Sequence, residues 1–145
     1  MVEQRKPRAV VKTIPGINIQ WPWSEYLVSG KKTIETRTYP IPLKHIGVEL
    51  AIIETPGPKG KKLAGIEKAR IIGTIIFESS FQYKSRKDWE KDVKKHLVGS
   101  SADDFTWEDR GGEVWGWKVK KVTKLKKNKP APIKRGIVFA SACQV

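Results

Sequence analysis

One cysteine, Cys143, stands in 145 residues. A single thiol excludes an internal disulfide and a cysteine-based zinc cluster. No apolar run approaches the roughly 18 residues that span a bilayer. No hydrophobic block follows Met1-Val2-Glu3-Gln4-Arg5-Lys6, so no secretory signal is visible. A cytoplasmic protein without a membrane partner is expected. Acidic residues are also scarce: 15 Asp plus Glu face 29 Lys plus Arg, for a net charge of +14. That surplus attracts polyanions and makes nucleic acid the leading partner, against the plainer reading of a solubility surface. A membrane surface fits less well, because no basic amphipathic helix with a strong apolar face is present.

What the chain does have is enough to fold. Hydrophobic residues make up 39%, with six Trp, and the length suits one domain with one core. Residues 1–16 read as a basic arm carrying Arg5, Lys6, Arg8 and Lys12 and ending at Pro15-Gly16. Residues 17–145 read as a single domain. Alternation predicts strands over 17–21, 33–39, 47–55, 69–77, 113–122 and 137–142. Trp23, Tyr26 and Leu27 predict a short helix over 22–29, stopped by Gly30. Ser85 followed by Asp88 caps a second helix, on which Trp89, Val93 and Leu97 share a face and which Gly99 closes. Pro56-Gly57-Pro58-Lys59-Gly60-Lys61-Lys62 reads as an exposed basic loop. The expected class is α+β: a small mixed β-barrel of five to six strands with short flanking helices.

Two stretches carry the chemistry. Nine cations and no acid lie between Lys118 and Arg135, among them Lys120, Lys124, Lys126, Lys127 and Lys134. Beside exposed aromatics such a run tracks a phosphate backbone, although a basic run is more often a solvated face. The other stretch is Gln20 to Arg37. On a strand of period two, Glu35 and Arg37 share a face and Thr36 turns away. Read alone, that row is a surface charge ladder.

Ile17-Asn18-Ile19-Gln20-Trp21-Pro22-Trp23, followed by Gly30-x-Lys32-x-x-Glu35-x-Arg37, resembles the motif of the ASCH family. Arg70 to Ile76, Trp115-Gly116-Trp117 and Pro130 to Gly136 follow in the family's order. The resemblance implies a PUA-like barrel whose ligand cleft is lined by Lys32, Glu35 and Arg37. There Arg37 would fork onto a phosphate or base edge, and Lys32 would supply a point charge. Glu35 would accept from an exocyclic amine or orient Arg37. Trp21 would stack a base, while Trp23 belongs to the core through its stripe with Leu27.

Some family members are hydrolases. In one subset a threonine nucleophile stands where this chain has Glu35, and a carboxylate cannot replace it in the same ester chemistry. Others are ribonucleases, and Lys32 with Glu35 would be the acid–base pair if this chain were one. His45 and His96 stand in no metal-ligand pattern, so neither a metal nor a cofactor is expected. His96 reads as structural, and His45 as a loop residue within reach of the cleft. Asp103 and Asp104 read as a solvated loop, and Cys143 as a small packed residue. The reading favours binding of RNA or another nucleic acid in a basic cleft. Its rivals are a hydrolase of RNA or of a modified nucleoside, and an adaptor for an acidic protein.

Overall fold

Leu50-Ala51-Ile52-Ile53 is apolar without interruption, as expected of a strand buried on both faces. In the computed structural model, which describes residues 12–99 and 105–145, this run is the middle of a six-stranded sheet. The strands are β1 (Thr13–Gln20), β2 (Ile34–Arg37), β3 (Leu50–Thr55), β4 (Arg70–Gln82), β5 (Trp115–Pro130) and β6 (Phe139–Gln144). The helices are α1 (Trp23–Val28), α2 (Gly57–Leu63), α3 (Arg86–Lys91) and α4 (Val93–His96), with a 3-10 turn at Leu43–His45. Most of the arm and the Asp103-Asp104 pair lie outside the described residues. β1 begins at Thr13, within the stretch read as the arm.

The strand order is β2-β5-β4-β3-β1-β6, with β1 and β3 parallel and the other pairs antiparallel. The α+β class is as expected. The closed barrel is not: β2 and β6 are the two edges and do not pair. β2 has only four residues and ends before Pro40, so its ladder is too short to close the sheet.

Two clusters fill the faces of β3. Leu50 and Ile52 join Ile17, Ile19, Trp23, Leu27, Ile75, Phe77 and Trp117 in the main core. Ala51 and Ile53 join Ile71, Ala140 and Cys143 on the other side. Gly73 lets β5 approach, since a Cβ there would sit 2.5 Å from the Thr123 carbonyl oxygen. α1 is tied down by Glu54 of β3, which is buried. Its carboxylate accepts from Ser24 Oγ at 2.7 Å and from Arg70 Nε at 2.9 Å.

Three elements differ from expectation. The Pro56–Lys62 segment is a helix: Pro58 falls in its first turn, where no N–H is needed, and Gly60 packs against Trp21. β5 runs to Pro130 rather than Val122, so most of the basic tract is strand. Register shifts along the β4–β5 pair hide its alternation. The second helical segment breaks at Asp92 into α3 and α4. The Ser85 cap is as read, its Oγ accepting from the Asp88 N–H at 3.2 Å.

Candidate functional site

β2 sets the geometry of the site. Glu35 and Arg37 stand in register with Trp117 and Trp115, while Thr36 faces Gly116. Thr36 therefore shares the face of Ile34, and Glu35 and Arg37 share the other. Arg37 Nη2 donates to the Asn18 main-chain oxygen at 2.9 Å and to Glu35 Oε2 at 3.3 Å. Its guanidinium also sits over the Trp117 ring, 5.7 Å from the centroid. Glu35 Oε1 accepts from the Thr36 N–H at 3.0 Å.

A cleft of about 630 Å³ opens in front of this pair. One wall is β2 at Glu35–Arg37 with Thr38 and Tyr39 just beyond it. Another is β1 at Asn18, Ile19 and Gln20. A third is the segment leading into β6, with Ile133, Arg135 and Ile137. The cleft thus lies on the side where the sheet fails to close. Trp23, Phe105, Asp109 and Arg110 also line it. Trp23 and Phe105 meet edge to face at 5.4 Å, and Arg110 lies over the Phe105 ring at 5.5 Å. Arg110 Nε donates to the Phe105 carbonyl at 3.0 Å.

Lys32 sits behind this surface rather than on it. It is 1% exposed and absent from the cleft lining. Its ammonium donates to the His96 carbonyl and lies 3.7 Å from Glu35 Oε1. Burial lowers its pKa to about 8, against the opposing pull of Glu35. For Glu35, burial alone would raise the pKa. Arg37, Lys32 and Arg110 together outweigh it and hold the carboxyl below its ordinary value. Burial also lowers the Arg110 pKa.

His96 is a fully enclosed neutral ring. Its Nδ1 accepts from the Val98 N–H at 3.0 Å, so Nε2 carries the proton that goes to the Trp89 carbonyl at 2.7 Å. Burial lowers its pKa to about 4. The ring stacks on Trp89 at 4.8 Å. His45 is buried too, stacked on Phe139 at 4.3 Å and away from the cleft lining. Among the described residues no group of three or more His, Cys, Asp or Glu is placed to hold a metal ion. Nor is any helix there long and apolar enough to cross a membrane. Cys143 is buried, and burial raises its thiol pKa.

The family model for the ASCH domain matches residues 17–133. The chain belongs to the ASCH domain family. Solved structures agree at the level of fold. A serine-to-alanine variant of the ASCH protein from Zymomonas mobilis superposes with a TM-score of 0.63 at 18% identity, covering 88% of this chain and 86% of that one. A tyrosine-to-phenylalanine variant gives 0.63 and 18%, covering 88% of each chain. The ASCH structure from that organism without a named substitution gives 0.59 and 16%, covering 88% and 85%. No curated protein sequence matches the chain.

Lys32, Glu35 and Arg37 are thus gathered at one place, with Glu35 and Arg37 on the cleft and Lys32 beneath. Trp21 stands elsewhere: its Nε1 donates to Glu25 at 3.1 Å, and its side chain lies against Gly60. Arg135 reaches the cleft rim, and Lys134 is exposed beside it. Lys120, Lys124, Lys126 and Lys127 project from β5. β2 covers β5 only at Trp115–Lys118, with the Val119 N–H reaching Thr33 O, so these lysines follow a strand edge with no paired strand among the described residues. Arg110, Asn18, Phe105, Ile133 and Ile137 were not foreseen. They come from loops or from unremarkable strand positions, and only the fold brings them to Arg37.

Proposed function

We propose that this ASCH domain binds nucleic acid, RNA foremost, with one nucleotide in the cleft and the flanking backbone on the lysines of β5. The observation that carries the reading is the charge imbalance around Glu35. Three cations, Arg37, Lys32 and Arg110, face one buried carboxylate, Glu35, and one exposed carboxylate on the cleft, Asp109, so one cation is in excess beside the aromatic walls. Cations withdrawn from water without matching carboxylates favour an anionic occupant. Among the described residues both hydrogen bonds of Arg37 use Nη2, and Nη1 and Nε would serve a phosphate or a base edge. The cleft volume suits one small organic group.

Binding is favoured over turnover by the position of Lys32. Its ammonium is committed to the His96 carbonyl and to Glu35, behind the lining. A general acid or base needs hydrogen-bond reach of the reacting atom. The test is titration of a labelled single-stranded RNA at two salt concentrations, with each endpoint run on a denaturing gel. Wild type is compared with Arg37→Ala and Arg110→Ala. The expected result is intact RNA, with affinity reduced about tenfold or more by either substitution. Unchanged affinity in both variants removes the cleft from the reading. RNA cut by wild type and spared by the variants replaces it with a hydrolase.

A further inference from the structure

Ile133 and Ile137 are 100% and 97% exposed, yet both line the cleft. Single exposed isoleucines are ordinary, but two bare ones on one cavity rim offer an apolar contact surface. The backbone that carries them is held. Asn18 Nδ2 donates to the carbonyls of Gly136 at 2.8 Å and Ile137 at 3.1 Å. The Asn18 N–H donates to Val138 O at 2.8 Å, and the Gly136 N–H to Phe139 O at 2.9 Å. Arg135 Nη1 donates to the Pro132 carbonyl at 2.9 Å, and Arg135 lines the same cleft. This is a pinned backbone presenting apolar side chains, on the same cavity as the half-exposed Phe105 ring.

An occupant both apolar and anionic complements this cleft. It meets Ile133, Ile137 and Phe105 at the apolar surfaces and Arg37, Arg110 and Arg135 at the charged ones. A nucleotide is flat and apolar on its base faces and anionic at its phosphate. We infer that Ile133 and Ile137, with Phe105, are the contact surface for an unstacked nucleobase, and that the cleft takes single-stranded chain with a base turned in. The inference rests on the nucleic-acid reading above and adds to it which residues hold the base.

The test uses a labelled oligouridine and an abasic oligonucleotide of equal length, read by fluorescence anisotropy. The proteins are wild type, the double variant Ile133→Ser/Ile137→Ser, and Lys126→Ala/Lys127→Ala. The serine variant leaves the core untouched, since both side chains are outside it. It is expected to bind oligouridine about tenfold more weakly and the abasic chain as wild type does. The lysine variant is expected to lose affinity for both. Equal loss by the serine variant on both chains, or no loss on oligouridine, overturns the inference while the nucleic-acid reading stands. Loss of self-association in sedimentation, with RNA binding unchanged, assigns the rim to a second copy instead and also overturns it. Failure of wild type to bind either chain overturns both.

Discussion

Arg37 reaches from β2 to the Asn18 carbonyl of β1 at 2.9 Å, and so links two strands on the side where the sheet stays open. The same nitrogen meets Glu35, and the guanidinium covers Trp117. A lysine in its place keeps one charge but not the planar fork or the stacking. Arg37→Lys is therefore expected to lose about 1.5–3 kcal/mol of stability in urea unfolding. Its RNA affinity should fall between those of wild type and Arg37→Ala. Unchanged stability would mean that the link does not hold the opening.

Behind that link, Lys32 and Glu35 form an ion pair at 3.7 Å with side chains 0% and 7% exposed. Removing the carboxylate strands the Lys32 ammonium in the core, and Arg37 loses its acid as well. Glu35→Leu is expected to cost about 3–5 kcal/mol. Lys32→Met should cost less, about 1–3 kcal/mol, because Glu35 keeps Arg37 and the Thr36 N–H. Combining the two removes both charges together, so the double variant should be at least about 0.5 kcal/mol better than the sum of the singles. Strict additivity would show that the pair is not coupled.

The contrast between these residues and their neighbours shows what a sequence can carry. Glu35 and Arg37 were legible because a strand of period two puts them on one face. The motif also named Lys32, but its burial was not legible: it depends on the His96 carbonyl, 64 positions along the chain. Arg110 sits in an irregular stretch with no periodicity to flag it. Ile133 reads as part of a Pro-rich approach and Ile137 as the first residue of the last strand; in the fold the strand starts at Phe139, and Asn18 holds the Gly136 and Ile137 carbonyls beside the cleft. The Pro56–Lys62 helix was missed because Pro and Gly argue against helices, while the packing that demands Gly60 is tertiary. The length of β5 was hidden by register shifts, which put Val119, Val122 and Leu125 three apart rather than two.

His96 gives the fold a pH dependence whose sign follows from its burial. Its pKa falls from an ordinary 6.5 to about 4 in the folded chain. Between those values the unfolded chain holds the extra proton, so stability rises with pH. The stability is complete above about pH 6.5 and is lost as pH falls through about 4. The expected loss between about pH 7 and about pH 4.5 is on the order of 3 kcal/mol. Glu35, held below its ordinary value, adds loss of the same sign at still lower pH. His96→Gln has no proton to gain, so its urea-unfolding midpoint should vary less across that window. An equal slope in wild type and variant would remove His96 as the cause.

The lysines of β5 can be separated from the cleft by salt. Lys120, Lys124, Lys126 and Lys127 are exposed along an edge that β2 leaves uncovered. None of the four joins an acidic side chain among the described residues. Lysines on a bare strand edge also discourage pairing with another chain, which is reason enough for them to be there. The two roles predict different data. A lysine that neutralises a phosphate releases a counterion, and each one contributes about 0.7 to the slope of log affinity against log salt on a single strand. Lys126→Ala/Lys127→Ala is therefore expected to lower that slope by about 1.4 if both engage backbone. Arg37→Ala should lower affinity with a smaller change in slope than the lysine pair. If the lysine variant keeps the wild-type slope and aggregates instead, the edge serves to keep strands apart, and the backbone path lies elsewhere on the basic surface.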